Sequence, residues 1–188
     1  MKNPREFWKN VHENNYRKYL GLYPPKRVLA YHKIDPKSLV RKRVMDLGVG
    51  DGSMCAYLQA IDAEPVAIDI VEEAICNIEC EKYLSNDIKE CPPVDVAIGH
   101  LLFQHCEDDE MSRILEDIQL KPGGYISFQI ADLTEDGDYY IRDRKQRTVV
   151  FRTESQASDI IEYAGRSIIK FDRCVAKPPV DWIFYRVS

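Results

Sequence analysis

RVMDLGVGDGS (residues 43–53) is the stretch on which the reading of this chain turns. A short apolar run, Arg43–Leu47, passes straight into three alternate glycines, Gly48, Gly50 and Gly52, and a helical pattern begins at once. A run this short and this apolar is the pattern of a strand buried on both faces. Glycines at that point let the backbone turn tightly and approach a ligand with no side chain in the way. The helix start that follows offers unpaired N–H groups and a partial positive charge. Taken alone the turn is ambiguous, because dinucleotide, phosphate and nucleoside sites all use one.

Outward from it, the chain alternates strand-like runs with amphipathic spacing. Apolar residues recur at i, i+3, i+4, i+7 in Met54/Tyr57/Leu58/Ile61, Val71/Ala74/Ile75/Ile78, Met111/Ile114/Leu115/Ile118 and Ala157/Ile160/Ile161/Ala164, each predicting a helix with one buried face. The last has capping-box spacing at Thr153 and Gln156 and a C-terminal Gly165. Between these helices lie Arg43–Leu47, Pro65–Ile70, Tyr83–Ser85, Val94–Gly99 and Tyr125–Ala131, the alternation of a mostly parallel, doubly wound sheet. Two further runs, Ser167–Asp172 and Asp181–Val187, have no helix between them and predict a C-terminal antiparallel hairpin. The expected fold is a three-layer α/β/α sandwich. Residues 1–23 read as a helix ended by Pro24-Pro25. Residues 132–152 are the least regular, with a DGD turn at 136–138 joining extended arms 139–142 and 148–152 as a substrate-side insertion.

The 188 residues match one domain, divided here into an arm (1–40) and a core (41–188). With 45% hydrophobic and 30% charged residues the composition is globular, and no apolar run reaches the roughly 20 residues that span a bilayer. MKNPREFWKN lacks the apolar segment of a secretory signal, and the six cysteines form no CxxC pair, so a cytoplasmic location with reduced thiols and no metal site is expected. The net charge of −5 argues against a dedicated nucleic-acid binder, and no DNA partner is expected. Charge is unevenly spread: residues 1–43 hold 12 Lys and Arg against 3 Asp and Glu, and the remainder is acidic. The arm is thus either a solvated extension docked on an acidic body or a lid that attracts an anionic substrate.

Ligands of open parallel sheets bind beyond the carboxyl ends of the strands. Here Asp69 ends the second strand, placed to accept both hydroxyls of a ribose. Asn86-Asp87 ends the third, suited to an adenine edge, and Gly99-His100 ends the fourth. Four successive strand ends each carry a polar or glycine feature.

These motifs resemble those of class I, Rossmann-like S-adenosylmethionine-dependent methyltransferases over about residues 40–188. DLGVGDGS is similar to the family's first motif, VAIDI to the second, SNDI to the third, VDVAIGHLLFQH to the fourth and LKPGGYISFQI to the fifth. The fourth and fifth look most like small-molecule enzymes of the quinone-biosynthesis type. The resemblance implies a seven-stranded sheet closed by the terminal hairpin. It implies S-adenosylmethionine as cofactor, S-adenosylhomocysteine as product and a small-molecule acceptor. It puts Gly48 and Gly50 at the methionine and ribose side, Asp46 near the amino group, and Asp69 with Ile70 at the ribose. Asn86, Asp87 and Ile88 fall at the adenine, and the His100 backbone at the methionyl end.

A base is needed only if the nucleophile starts protonated. His100 and His105 are the candidates by location, whereas His12 and His32, in the basic arm, are expected at the surface. Trp8, Tyr16 and Tyr19 are candidates for a lid, and Tyr139, Tyr140 and Arg142 for the rim of an acceptor pocket. Transfer to O, N or C of a small molecule without metal is the leading reading. RNA or protein methylation, or a non-catalytic S-adenosylmethionine-binding module, is the alternative. A nicotinamide oxidoreductase fits less well, because it prefers GxGxxG and the third glycine here arrives one residue early.

Overall fold

In the computed structural model, which describes residues 4–13, 23–132, 140–142, 148–174 and 181–188, Arg43–Leu47 forms β1, an inner strand of one nine-stranded sheet. Parallel neighbours flank it: β2 (Glu64–Asp69) on one side and β4 (Val94–Gly99) on the other. β3 (Glu81–Leu84) lies outside β2, and β5 (Leu120–Asp132) outside β4, both parallel. Then β9 (Asp181–Val187) runs antiparallel beside β5, and β8 (Ile168–Cys174) pairs antiparallel with β9. The through-going order β3-β2-β1-β4-β5-β9-β8 is the expected doubly wound arrangement with its terminal hairpin.

Alternate residues of the inner strands enter opposite cores, as the two-residue period of a strand requires. Val44, Val96 and Ile98 pack with Met54 and Leu58 of α3 (Ser53–Ala60) and with Val28 and Leu29 of α2 (Pro25–Tyr31). Met45, Leu47 and Ala97 meet the other layer. That layer holds Met111, Ile114 and Leu115 of α5 (Asp108–Asp117) and Ala157 and Ile161 of α6 (Glu154–Tyr163). A smaller cluster joins Ala67 to Val71 and to Ala74 and Ile75 of α4 (Glu72–Ile75), with Trp8 of α1 (Pro4–Glu13) packed against it. The capping box of α6 forms: Thr153 Oγ1 accepts from Gln156 N at 3.3 Å, and Gln156 Oε1 accepts from Thr153 N at 2.9 Å.

Three expectations change. Pro24-Pro25 starts a helix: Pro25 is the first residue of α2, where the missing N–H has no intrahelical partner to lose, while of the helix expected over 1–23 the described residues show α1 and residues 14–22 lie outside them. The segment expected to be helical over 71–78 is a single turn, α4. The insertion pairs as β6 (Tyr140–Arg142) antiparallel to β7 (Thr148–Arg152), so the link between the arms is 143–147 and not the DGD at 136–138, which precedes both in sequence; both stretches lie outside the described residues. β7 continues the sheet, pairing parallel with the last two residues of β5.

Arg152 anchors that ribbon. Its side chain is 1% exposed; Nη1 donates to Phe103 O at 2.8 Å, Nη2 to Cys106 O at 2.6 Å, and Nε to Asp108 Oδ1 at 2.9 Å. It thereby ties β7 to the 3₁₀ turn Phe103–His105 that follows β4 and to the start of α5.

Candidate functional site

A cleft opens at the carboxyl ends of β1, β2 and β4, where the winding direction of the sheet reverses. Its floor includes Asp46 and Leu47, then Gly48 and Val49 of the glycine turn. Gly48, Gly50 and Gly52 have φ of +72°, +59° and +77°, and the N–H groups of Gly48 and Val49 donate to Ile68 O at 2.8 and 3.1 Å. A Cβ on Gly48 would lie 3.2 Å from Leu102 Cδ1 and carry a left-handed backbone, so the turn is held close to the cleft wall by having no side chain there. Leu101, two residues after β4, also has positive φ (+57°), an uncommon conformation for leucine that bends the chain along the cleft.

Two buried carboxylates sit side by side at the strand ends. Asp69 Oδ1 accepts from Val71 N at 3.1 Å, and Oδ2 faces Gly50 N at 3.5 Å. Burial pushes Asp69 up to about 6, opposed by the N–H groups of Val71, Gly50 and Ile70. Asp46 is pushed to about 7, first by burial; the Cys55 thiol, donating at 3.5 Å, opposes this, and the carboxylates of Asp69 and Asp51 add to it. A carboxyl whose folded value lies above its unfolded one favours the folded state at low pH and destabilises it as pH rises toward the folded value. Asp46→Asn is therefore expected to raise the melting temperature of the ligand-free protein. Its advantage should grow by about 2–3 kcal/mol between pH 5 and pH 8. Thermal unfolding of both proteins at the two pH values checks this, and an equal difference at both would show that Asp46 carries no such burden.

The histidines form the other wall. His100 and His105 line the cleft, and so does His12 of α1. His32 is 4% exposed, which corrects the expected surface position; the residue after α2 is pressed against β5. Its Nδ1 is 2.9 Å from Ser127 Oγ, and its Nε2 is 3.3 Å from His100 Nδ1. Burial lowers His32 to about 3, assisted by His100 and Arg186, and lowers His100 to about 4 against the opposing Gln129 side chain. Both rings are therefore neutral at pH 7. Tyr31 stacks on His100 at 6.3 Å and Tyr23 meets it edge-on at 5.2 Å. His105 lies under Trp8, ring centroids 5.0 Å apart, with Nε2 3.1 Å from Gln104 Nε2.

No protein-family model and no curated protein matches this chain. Solved structures do. It is similar to the Burkholderia thailandensis 1,6-didemethyltoxoflavin-N1-methyltransferase, whose structure holds 1,6-didemethyltoxoflavin and S-adenosylhomocysteine. That match has a TM-score of 0.72 and 15% identity over 97% of this chain and 85% of the other. The Synechocystis magnesium protoporphyrin IX methyltransferase with bound S-adenosylhomocysteine gives 0.70 and 15%, over 98% and 97%. A Clostridium acetobutylicum S-adenosylmethionine-dependent methyltransferase gives 0.67 and 14%, over 99% of both chains. The fold is that of the S-adenosylmethionine-dependent methyltransferases.

On this methyltransferase fold, Asp46, Gly48, Asp69, Ile70, Ile88 and His100 all line the cleft. Gly50 acts from behind, through its N–H toward Asp69. Asn86 and Asp87 are not among the lining residues. After β3 the chain enters a 3₁₀ turn, Ser85–Glu90, in which i and i+3 share a face, so Ser85 and Ile88 meet the cleft while Asn86 is exposed and Asp87 half-buried. Of the acceptor-pocket candidates Trp8 lines the cleft. Tyr16, Tyr19 and Tyr139 fall outside the described residues, as do the side chains of Tyr140 and Arg142. The reading of the sequence missed His32, Ser127 and Gln129. Ser127 and Gln129 lie within LKPGGYISFQI, whose resemblance assigns these side chains no role, and only the tertiary fold brings residues 32, 100 and 127 together.

Proposed function

We propose that this chain transfers a methyl group from S-adenosylmethionine to a small-molecule acceptor, without metal, releasing S-adenosylhomocysteine. The observation that carries this is the pair of buried carboxylates, Asp69 and Asp46, flanking a glycine turn at the strand ends of this fold. Two acceptors of unequal surroundings suit a ligand with a diol at one end and a cationic amine at the other. Asp69 would receive the ribose hydroxyls, Ile70 and Ile88 would pack the base, and Asp46 would face the amino group. When bound, the cofactor's sulfonium supplies an already electrophilic methyl, so the chain needs to orient the partners and exclude water.

The residues present fit those tasks. Trp8, Tyr23 and Leu102 give the cleft apolar walls over the polar floor, and His100 and His105 line the same cleft. A small, flat acceptor is favoured by the aromatic surroundings of His100, and the toxoflavin and porphyrin enzymes named above act on ring systems. Calorimetric titration tests the reading: heat with S-adenosylmethionine and S-adenosylhomocysteine and none with NAD supports it. Heat with NAD alone would overturn it. Methyl transfer from isotopically labelled cofactor into a metabolite pool then identifies the acceptor.

A further inference from the structure

Asp46 is backed by a thiol, and that thiol has a second thiol beside it. Cys55, in the first turn of α3 and 1% exposed, donates from Sγ to Asp46 Oδ2 at 3.5 Å. It also shares a hydrogen bond with the thiol of Cys80, the residue before β3. Contacts on either side hold the two together. A Cβ on Gly52 would lie 3.2 Å from Ile78 Cδ1, and Gln59 Nε2 donates to Glu79 O at 2.6 Å. Gly52, Cys55 and Gln59 recur at three and four residues, so one side of the helix runs along 78–80. Cys80 packs against the same small apolar cluster that buries Cys55.

The two sulfurs differ in a useful way. Cys80 is partly exposed and Cys55 is buried. The hydrogen bond from Cys55 lowers Cys80 below the ordinary thiol value; burial opposes this, and the N–H of Ala67 assists it. Cys55 is raised, by that same bond and by its burial. The thiolate is the nucleophile in thiol chemistry, so Cys80 is the sulfur a small oxidant meets first, with Cys55 next to it to resolve the product.

We propose that Cys80 and Cys55 form a reversible disulfide when the chain meets a peroxide, and that this bond weakens cofactor binding by taking the thiol donor from Asp46. The proposal rests on the methyl-transfer reading and adds regulation of the same site. The Cys80 thiolate attacks one oxygen of hydrogen peroxide, the O–O bond breaks, and the departing hydroxide becomes water with the proton Cys80 gave up. Cys55 sulfur then attacks the sulfur of the Cys80 sulfenic acid. The S–O bond breaks, and the hydroxide leaves as a second water with the Cys55 proton. The two thiols have together given two electrons to the peroxide. Cys55 now has no S–H, and Asp46 loses the one side chain that opposes the rise imposed by burial, Asp69 and Asp51. Its carboxyl then keeps its proton more readily and offers less charge to a cationic amine.

Peroxide treatment of the full chain without cofactor, followed by digestion and mass spectrometry without reductant, reads the bond directly. The expected product has lost two hydrogens and links the peptides that hold residues 55 and 80; dithiothreitol undoes it. Calorimetry should find S-adenosylmethionine bound about three- to tenfold more weakly by the oxidised protein, the worth of one hydrogen bond. Cys80→Ser, or Cys80→Ala should the serine variant fail to fold, is expected to match the reduced wild type before and after peroxide. No link between 55 and 80, a bond from Cys80 to the exposed Cys76 instead, or a linked protein that binds like the reduced one would overturn the proposal. Reduced wild type that gives no heat with S-adenosylmethionine would instead sink the methyl-transfer reading, and with it the regulatory role, while the mass spectrum still reports on the disulfide.

Discussion

Asp69→Ala is expected to weaken S-adenosylmethionine binding by two orders of magnitude or more. The carboxylate is 8% exposed and already held on both oxygens by backbone N–H groups, so its direction is set before a ligand arrives. Hydrogen bonds to a charged group contribute about 1.5–3 kcal/mol each, and two ribose hydroxyls give about 3 kcal/mol or more, at least a hundredfold in affinity. Asp69→Asn separates charge from shape, since the amide keeps one acceptor and should lose less. The same carboxylate predicts a pH dependence. Asp69 is raised to about 6, and its protonated form gives up acceptor capacity, so its contribution to affinity should be lost as pH drops through that value. Titration calorimetry of the three proteins at pH 5 and pH 8 measures both effects. An alanine variant that binds like the wild type would remove Asp69 from the site.

Arg152→Met carries the largest expected loss of stability. The guanidinium is buried and satisfies two main-chain carbonyls, Phe103 O and Cys106 O, as well as Asp108. Methionine fills much of the volume but removes the donor from Cys106 O and leaves Phe103 O only the long bond from Cys106 N at 3.4 Å, and breaking such a buried charge network costs about 3–5 kcal/mol. For a chain of this size that corresponds to roughly 10 °C in melting temperature, readable by circular dichroism. A fall of only a degree or two would mean that the ribbon and the 3₁₀ turn stand without their tie. The loss should also be felt at His105, whose turn Arg152 holds.

The strand-end residues of the site were legible in the sequence because a parallel sheet puts ligands in one place. Once Arg43–Leu47 is a buried strand, Asp46, Gly48 and Asp69 must meet at its carboxyl side. The capping box at Thr153 and Gln156 was legible for a similar reason: both partners lie within one turn. Local conformation that hangs on a single residue type was read less well. Pro24-Pro25 signals both a stop and a start, and only the structure shows that the prolines open a helix. The six residues after β3, Ser85–Glu90, wind as a 3₁₀ turn, which hands the cleft to Ser85 and Ile88 in place of Asn86 and Asp87. The pairing of His32 with His100 spans 68 positions and leaves no local pattern, so nothing but the folded chain could disclose it.

The placement of β9 has a consequence for how the molecule comes into being. Its seven residues pair along β5 from Ile126 to Asp132 on one side and with β8 on the other, so β9 is a lengthwise wedge in the sheet. During synthesis β5 leaves the ribosome long before this neighbour exists, with one hydrogen-bonding edge open and rows of Ile, Phe and Ala at hand for any other strand. Joining them closes a loop of about fifty residues, a slow step by the general cost of non-local pairing. Until it happens, Ser127, Gln129 and the rings packed beside them have no finished scaffold.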